Sequence, residues 1–423
     1  MFKTFKASAI LLLGICFMSA SIADETNVKS NQAKIQSESN ESYAALGVRV
    51  GAFMIYPTLE SANDWNDNIY SSQNNERSDF IFHVKPGLKI KSNWSRHSLN
   101  LSAGSDDMFY KNHSKEDKNN YFADINGRFD VLKDSFATAK LYYQHNAEDR
   151  GSPNPIASVS VKPLENDTLG GKVGYEHKIN RIRANVSNDI QYKKYIDGVD
   201  AFNKPVLNSQ RTRMVNTSEA RLGYELFSGY EAYVKGSYNF VDYKKRFISQ
   251  GNLDRSSKGY IAATGLAFDI SHTMVGDAYV GYANQNYKDP RLKSVKGITG
   301  GLTLTWLPTQ LTTVKAGVDR SIQETTQVGL SGFFSTVVTA SVDHELMRNL
   351  LLNAHASYTN NDYIGTNPLN RKEDLYSAGF KVKYLLSRYL YLQSGYDYKT
   401  RAVNIDGSDY NINNAYFNIG TQM

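Results

Sequence analysis

From Val48 to Met423 apolar and polar side chains alternate with a period of two. Between Arg181 and Tyr192 one face carries Ile182, Ala184, Val186, Asn188, Ile190 and Tyr192, and the other Arg183, Asn185, Ser187, Asp189 and Gln191. Between Tyr230 and Phe240 the faces are Tyr230, Ala232, Val234, Gly236, Tyr238 and Phe240 against Glu231, Tyr233, Lys235, Ser237 and Asn239. Tyr376, Ala378, Phe380, Val382 and Tyr384 alternate in the same way with Ser377, Gly379, Lys381 and Lys383. Successive side chains of an extended chain point to opposite sides, so the pattern predicts strands with one apolar and one polar face. The runs are about 10 to 14 residues long. Strands of soluble sandwiches average about five or six residues, whereas tilted strands that cross a bilayer need about 9 to 11.

Two kinds of connection take turns along the chain. The short kind is Trp94-Ser95-Arg96, Lys133-Asp134-Ser135, Asn180-Arg181, Ser228-Gly229, Ser271-His272-Thr273, Pro308-Thr309-Gln310, Met347-Arg348-Asn349 and Ser387-Arg388. These eight turns recur roughly every 37 to 48 residues, the length of two long strands and a loop. The other kind is longer and polar, as in Ser71–Ser78, Lys111–Lys118, Glu148–Glu165, Ile196–Arg213, Lys244–Ser256 and Gly365–Glu373. The fold expected is all-β: a transmembrane antiparallel up-and-down β-barrel of about 18 strands, from near Met54 to Tyr410–Met423, with short periplasmic turns and longer extracellular loops. An even number puts both ends of the barrel on the periplasmic side.

The segment before it reads differently. Residues 1–23 have the form of a signal peptide: Lys3 and Lys6, an apolar stretch from Ala9 to Met18, and Ser21-Ile22-Ala23 before a cleavage point at Asp24. The sole cysteine, Cys16, lies inside it and follows Ile15, which is too large for a lipoprotein signal, so the mature chain is expected to lack cysteine. That suits a chain crossing an oxidising periplasm unfolded. Residues 24–47 are polar and aperiodic and read as a flexible periplasmic tail, leaving 48–423 as the barrel.

Composition sharpens the picture in two places. Mean hydropathy is −0.48, yet tyrosine is abundant at 29 residues and proline scarce at 9, as long strands with aromatic ends require. Net charge is only +6, from 48 basic and 42 acidic side chains without basic blocks, which argues against nucleic acid as a partner. Tyr-Lys recurs near loop ends at Tyr110-Lys111, Tyr192-Lys193, Tyr243-Lys244, Tyr287-Lys288 and Tyr398-Lys399. Such tyrosines would form a girdle at the headgroups, with Tyr192 and Tyr398 in phase with the apolar face and Tyr243 and Tyr287 out of phase unless a bulge intervenes.

One stretch carries a family resemblance. Gly51-Ala52-Phe53-Met54-Ile55-Tyr56-Pro57-Thr58-Leu59 is followed by Asp67-Asn68-Ile69-Tyr70, Ser78-Asp79, Pro86 and Trp94-Ser95-Arg96-His97. This resembles the Putative β-barrel porin type 2 family. The resemblance implies an outer-membrane barrel, of a kind often encoded beside exopolysaccharide or capsule export machinery, and it carries no catalytic residues. Barrel-assembly signals usually end in an aromatic residue; here the last apolar face is Ala415, Phe417, Ile419, Thr421 and Met423.

No reaction chemistry stands out. His83, His97, His113, His145, His177, His272, His344 and His355 have no metal-ligand spacing, and no Gly-x-Ser-x-Gly nucleophile motif occurs. Gly170-Gly171 and Gly300-Gly301 sit in alternating strands and read as close packing or wall curvature rather than phosphate loops. Asp362 and Asp374 flank a polar loop that a calcium ion could meet, but a solvated loop is the simpler reading. No metal or cofactor is expected.

The informative surface is the polar face of the strands, the expected lumen lining. Its bases include Lys85, Lys89, Arg128, Lys140, Lys172, Arg183, Arg221, Lys235, Lys315, Lys381 and Lys383. Its acids include Asp124, Asp130, Glu176, Asp189, Glu219, Glu225, Glu231, Asp277, Asp319 and Asp343; Tyr142, Tyr233 and Tyr279 share it. The signs nearly balance, unlike a strongly selective ion channel. Two readings stay open: a water-filled passage for hydrated solutes such as a sugar chain, or a wall network of salt bridges. The tyrosines likewise suit either sugar stacking or wall packing. The function expected is a non-enzymatic porin-like barrel passing hydrated saccharides or small solutes, acting in polysaccharide export. Its expected partners are outer-membrane lipid, the barrel-assembly machinery and polysaccharide-export proteins. A loop-based adhesin or receptor is the rival, and a barrel-embedded hydrolase comes third.

Overall fold

The structure, a computed structural model, describes residues 43–153, 159–270, 273–365, 371–405 and 407–423. The expected signal peptide and most of the tail lie outside the described residues. Strands are numbered in chain order: β1 Val48–Val50, β2 Phe53–Asn66, β3 Asp79–Ser92, β4 Ser98–Tyr110, β5 Lys118–Leu132, β6 Ser135–Ala147 and β7 Glu165–Ile179. There follow β8 Ile182–Tyr195, β9 Gly198–Val199, β10 Pro205–Val206, β11 Arg213–Phe227, β12 Tyr230–Tyr243, β13 Ser257–Ile270 and β14 Met274–Tyr287. The last seven are β15 Val295–Thr309, β16 Thr312–Glu324, β17 Leu330–Met347, β18 Leu350–Gly365, β19 Lys372–Leu385, β20 Leu390–Val403 and β21 Tyr410–Gln422.

Eighteen of these strands, all but β1, β9 and β10, form one antiparallel up-and-down sheet. The sheet closes where Thr58–Asn66 of β2 pairs with β21. β1 pairs with the first residues of β2, below the end of β21, and so prolongs the closing seam. Closure pairs the first strand of the sheet with the last, the condition for backbone polar groups to survive in hydrocarbon. The short turns fall within a residue or two of where the alternation placed them: Ser135 opens β6, Pro308 and Thr309 end β15 and Met347 ends β17, while Ser271 and His272 lie outside the described residues. The β15–β16 register shifts between Trp306 and Thr309, so Pro308 sits where the ladder is already broken. Asn180 and Gly229 supply the positive φ values, 53° and 82°, of two tight turns.

Exposure alternates with the sequence pattern. In β8, Val186 is 52% exposed and Ile190 44%, whereas Asn185 and Asp189, which precede them, are 7% and 8% exposed. Phe380 in β19 and Val234 in β12 point out, and Tyr233 and Lys235 point in. The outer apolar belt faces lipid, so lipid-soluble thiol reagents should reach cysteines placed at Val186 or Phe380. Only water-soluble ones should reach Ser187→Cys or Lys381→Cys. The reverse pattern in either strand would show a one-residue slip of register.

The tyrosine girdle holds only in part. Tyr192 and Tyr398 are exposed on the outer face, but Tyr110 and Tyr243 are buried on the inner one. β12 and β14 carry no bulge at their loop ends, so parity turns Tyr243 and Tyr287 inward. There Tyr110 packs on Ile69 and Ile81, and Tyr243 on Phe247 and Leu253, anchoring loops instead of meeting lipid.

Candidate functional site

The expected lumen residues all lie on the inner face, and their charges are largely tied to one another. Glu176, Arg183, Glu231, Arg221 and Asp277 form a chain of ion pairs at 3.3, 3.0, 3.1 and 3.2 Å contributed by five strands, β7, β8, β12, β11 and β14. Lys235 lies beside Glu219, Asp277 and Asp319. Asp124 sits between Lys89 and Lys140, and Asp189 between Lys140 and Lys172. Lys315 is 3.7 Å from Asp343, Arg128 2.8 Å from Asp130 and Lys178 2.9 Å from Glu225. Lys381 and Lys383 neighbour each other, with Glu60 near Lys383. Sequence reading missed Glu60 on β2, His83 on β3 and Asp106 on β4, which surround Lys85 of β3: Lys85 lies 3.8 Å from Glu60 and 3.7 Å from Asp106, and His83 bonds Asp106 at 2.7 Å. Extending the inward parity of Lys85 along β3 and across the ladder would have found them.

The inner tyrosines are built into the wall by a repeated device. Tyr142, Tyr233, Tyr279 and Tyr391 each stand opposite a glycine on the next strand: Gly170, Gly265, Gly301 and Gly420. A Cβ on any of these glycines would fall 2.1–2.4 Å from the ring, so the absent side chain is the space the ring occupies. A cation lies close over the ring in three cases, Arg221 over Tyr233 at 3.5 Å, Lys235 over Tyr279 at 3.3 Å and Lys383 over Tyr391 at 3.7 Å, while Lys140 stands farther off over Tyr142, at 5.4 Å. The hydroxyls of these three donate to wall carboxylates, Tyr233 to Asp277 (2.6 Å), Tyr279 to Asp319 (3.3 Å) and Tyr391 to Glu60 (2.8 Å). With glycine beneath and a cation above, these rings have no open face for a sugar. Wall packing accounts for them, and it accounts for Gly170 and Gly301 as well.

Loops from opposite sides meet over the extracellular mouth. In the β6–β7 loop, buried Arg150 forks onto buried Glu116 of the β4–β5 loop at 2.5 and 2.8 Å and donates to Ser160 O at 2.6 Å. The same loop crosses the opening: Gly151 O accepts from Arg401 of β20 (3.1 Å), and Pro153 O accepts from Gln327 between β16 and β17 (2.9 Å). Arg211 clamps Glu148 at 2.7 and 2.8 Å beneath the β8–β11 loop. Arg255, fully buried, donates to the carbonyls of Thr325, Leu330, Gln327 and Ser331 at 2.8, 2.9, 2.8 and 3.5 Å. At the rim the Arg291 guanidinium forks onto Asp289 at 2.6 and 2.8 Å and holds that carboxyl well below the usual carboxylate range. This braces the loop from which the Lys293 amide reaches Ser331 Oγ (2.8 Å).

Elsewhere the polar groups serve the wall. Asp374 accepts from Tyr358 (2.7 Å) and Asn360 (2.9 Å), and Asp362 stands opposite Lys372 in the ladder. Among the described residues no group of three His, Cys, Asp or Glu is arranged to hold a metal. The site is thus a charge-balanced inner wall under a mouth crossed by interlocked loops.

Family comparison agrees with that architecture. The family model described as Putative beta-barrel porin 2 matches residues 41–423, the whole barrel. The chain belongs to this porin family. It is an outer-membrane β-barrel of porin type, as the opening stretch from Gly51 to His97 suggested. No curated protein matches it. Among solved structures it is similar to the ferric enterobactin receptor PfeA of Pseudomonas aeruginosa (TM-score 0.45, 8% identity, 87% of this chain and 80% of that one). It is also similar to OccK3 (OpdO) of Pseudomonas aeruginosa (TM-score 0.43, 10% identity, 87% and 95%). A third is the FrpB iron transporter of Neisseria meningitidis (TM-score 0.42, 11% identity, 82% and 62%). No cargo follows from likeness at that level.

Proposed function

We propose that this porin-family barrel is the outer-membrane conduit of a polysaccharide export system, passing hydrated saccharide chains outward without catalysing a reaction. The observation that carries the reading is the self-paired inner wall. Its acids and bases neutralise one another across neighbouring strands, so a weakly charged hydrated chain would meet hydroxyls, amides and paired charges but no dominant field. Around 18 strands is the size at which a barrel can leave an aqueous interior instead of filling it with side chains. Such a conduit also needs a mouth that stays shut between transport events, and the crossed loops suit that need. The leader at residues 1–23 would bring the chain to the barrel-assembly machinery, and export proteins would meet it from the periplasm.

Deleting the gene should abolish surface polymer while leaving cytoplasmic synthesis of the repeat unit intact. Lys381→Ala alone should change little, because weak contacts repeat along the wall, whereas several bulky inner-wall replacements together should block export. A second reading has its own support. Arg150, Arg211 and Arg255 fix the outer loops into a platform suited to an adhesin or receptor. A deletion strain with normal surface polymer but lost attachment would replace the export reading with that one.

A further inference from the structure

The extracellular end of the β16–β17 hairpin has left the wall. The β15–β16 ladder stops at Gly300 opposite Arg320, although β15 starts five residues higher at Val295 and β16 runs on to Glu324. Beyond that point β16 stays paired with β17, as far as Glu324 opposite Gly332, and the two lean inward together. Three observations fix the direction. Residues 330–335 of β17 are buried on both faces, against the alternation that resumes at Val338. A Cβ on Gly332 would meet Tyr287 Oη at 2.6 Å and Val295 Cγ2 at 3.3 Å, both on the inward faces of β14 and β15. Glu324 accepts from Tyr243 and Ser257 on the inner face of β12 and β13, at 3.5 Å each. The Arg320 side chain fills the missing ladder: its Nε donates to Ile298 O at 3.2 Å, and its guanidinium lies over Phe334 at 4.5 Å.

We propose that this hairpin is a gate with two positions, tucked into the mouth as here, or zipped into the wall along β15. The register carries the inference. Continuing from Gly300 opposite Arg320, the ladder would set Thr299 against Ser321, Ile298 against Ile322, Gly297 against Gln323 and Lys296 against Glu324. Ile298 and Ile322 would then both face lipid, and Lys296 and Glu324 would meet as an opposite-charge cross-strand pair. The sequence thus keeps matched partners for a ladder left open here, where Ile298 is 67% exposed. Each position has its own bonds: the ladder when zipped, the Arg255 carbonyl clip and the Gln327–Pro153 bridge when tucked. Zipping would break that bridge and withdraw the tip from the opening. The inference rests on the barrel being a conduit, not on what it carries.

Two cysteine pairs in the full-length barrel, reconstituted in planar lipid bilayers, test it. Ile298→Cys with Ile322→Cys reports the zipped position, and Val295→Cys with Gly332→Cys the tucked one. Both should cross-link on oxidation, and adding Arg255→Ala should raise the zipped yield several-fold. The zipped cross-link should conduct several-fold more than the tucked one, and reductant should erase the difference. A zipped pair that never cross-links, with or without Arg255→Ala, in barrels that keep heat-dependent gel mobility overturns the gate and leaves the conduit standing. Cross-links in both positions with equal, non-zero conductance also overturn it. No conductance from either cross-linked form would sink the conduit reading and the gate with it.

Discussion

Glu116→Ala should release the β6–β7 loop from the mouth and cost that region about 3–5 kcal/mol, the usual penalty for stranding one member of a buried ion pair. Glu116 is 2% exposed and Arg150 8%, and the two guanidinium–carboxylate bonds are 2.5 and 2.8 Å long. With the carboxylate gone, Arg150 loses the fork onto Glu116, and the carbonyls of Ser160 and Val161 that it also bonds are neutral and do not balance its charge. Its charge must then reach water, drawing the loop away from Arg401 and Gln327. Limited proteolysis should cut within 148–164 many times faster in the variant, while heat-dependent gel mobility of the barrel stays near that of the parent, because the strand ladders are untouched. Replacing both partners by apolar residues of similar size, as in Glu116→Leu with Arg150→Met, should recover much of the protection, since no charge is left unpaired. Equal protease resistance in Glu116→Ala and the parent would mean that the loop is held by its backbone bonds alone.

What was legible in the sequence follows one rule of geometry. Period-two alternation reports which way each side chain points, so strand count, turn positions and the inward set from Lys85 to Lys383 could be read without coordinates. The rule also decided against part of the tyrosine girdle, since Tyr243 and Tyr287 have inward parity. Partnership was beyond it. Gly170 and Gly301 stood out as tight spots, but that Tyr142 and Tyr279 fill them depends on cross-strand register, which turn lengths alone do not fix. The mouth was least legible. Arg255 and Leu330 lie 75 residues apart, and Arg401 and Gly151 250 apart. Each contact ties a loop with no periodicity to the end of a distant strand, so only the closed barrel brings them together. The inward lean of β16 and β17 was hidden for the opposite reason. By parity alone Ile322 and Glu324 are ordinary outward positions in a continuing ladder, the one that stops at Arg320.

Gly420→Val should disturb the barrel more than its distance from the mouth suggests. Tyr391 is 1% exposed, and a Cβ on Gly420 would lie 2.1 Å from its ring. The ring has little room to move: Lys383 covers it at 3.7 Å, and its hydroxyl donates to Glu60, itself 3% exposed, at 2.8 Å. Overpacking of this kind costs about 1–3 kcal/mol. Pulling the hydroxyl off a buried carboxylate adds about 1–3 kcal/mol more. The site also lies on β20 and β21 beside the closing pair of β2 and β21, so the loss falls where the sheet must seal. The transition between folded and unfolded gel mobility should move several degrees lower, and less folded barrel should reach the membrane. Gly236→Val is the matched control. Gly236 faces lipid on the same kind of alternating strand, and a Cβ there would meet nothing within 4 Å. Adding a β-branched side chain to such a site should leave the transition unchanged or raise it slightly. If the two substitutions behaved alike, the glycine beneath Tyr391 would be incidental, and the four tyrosine–glycine pairs would lose their claim to lock neighbouring strands together.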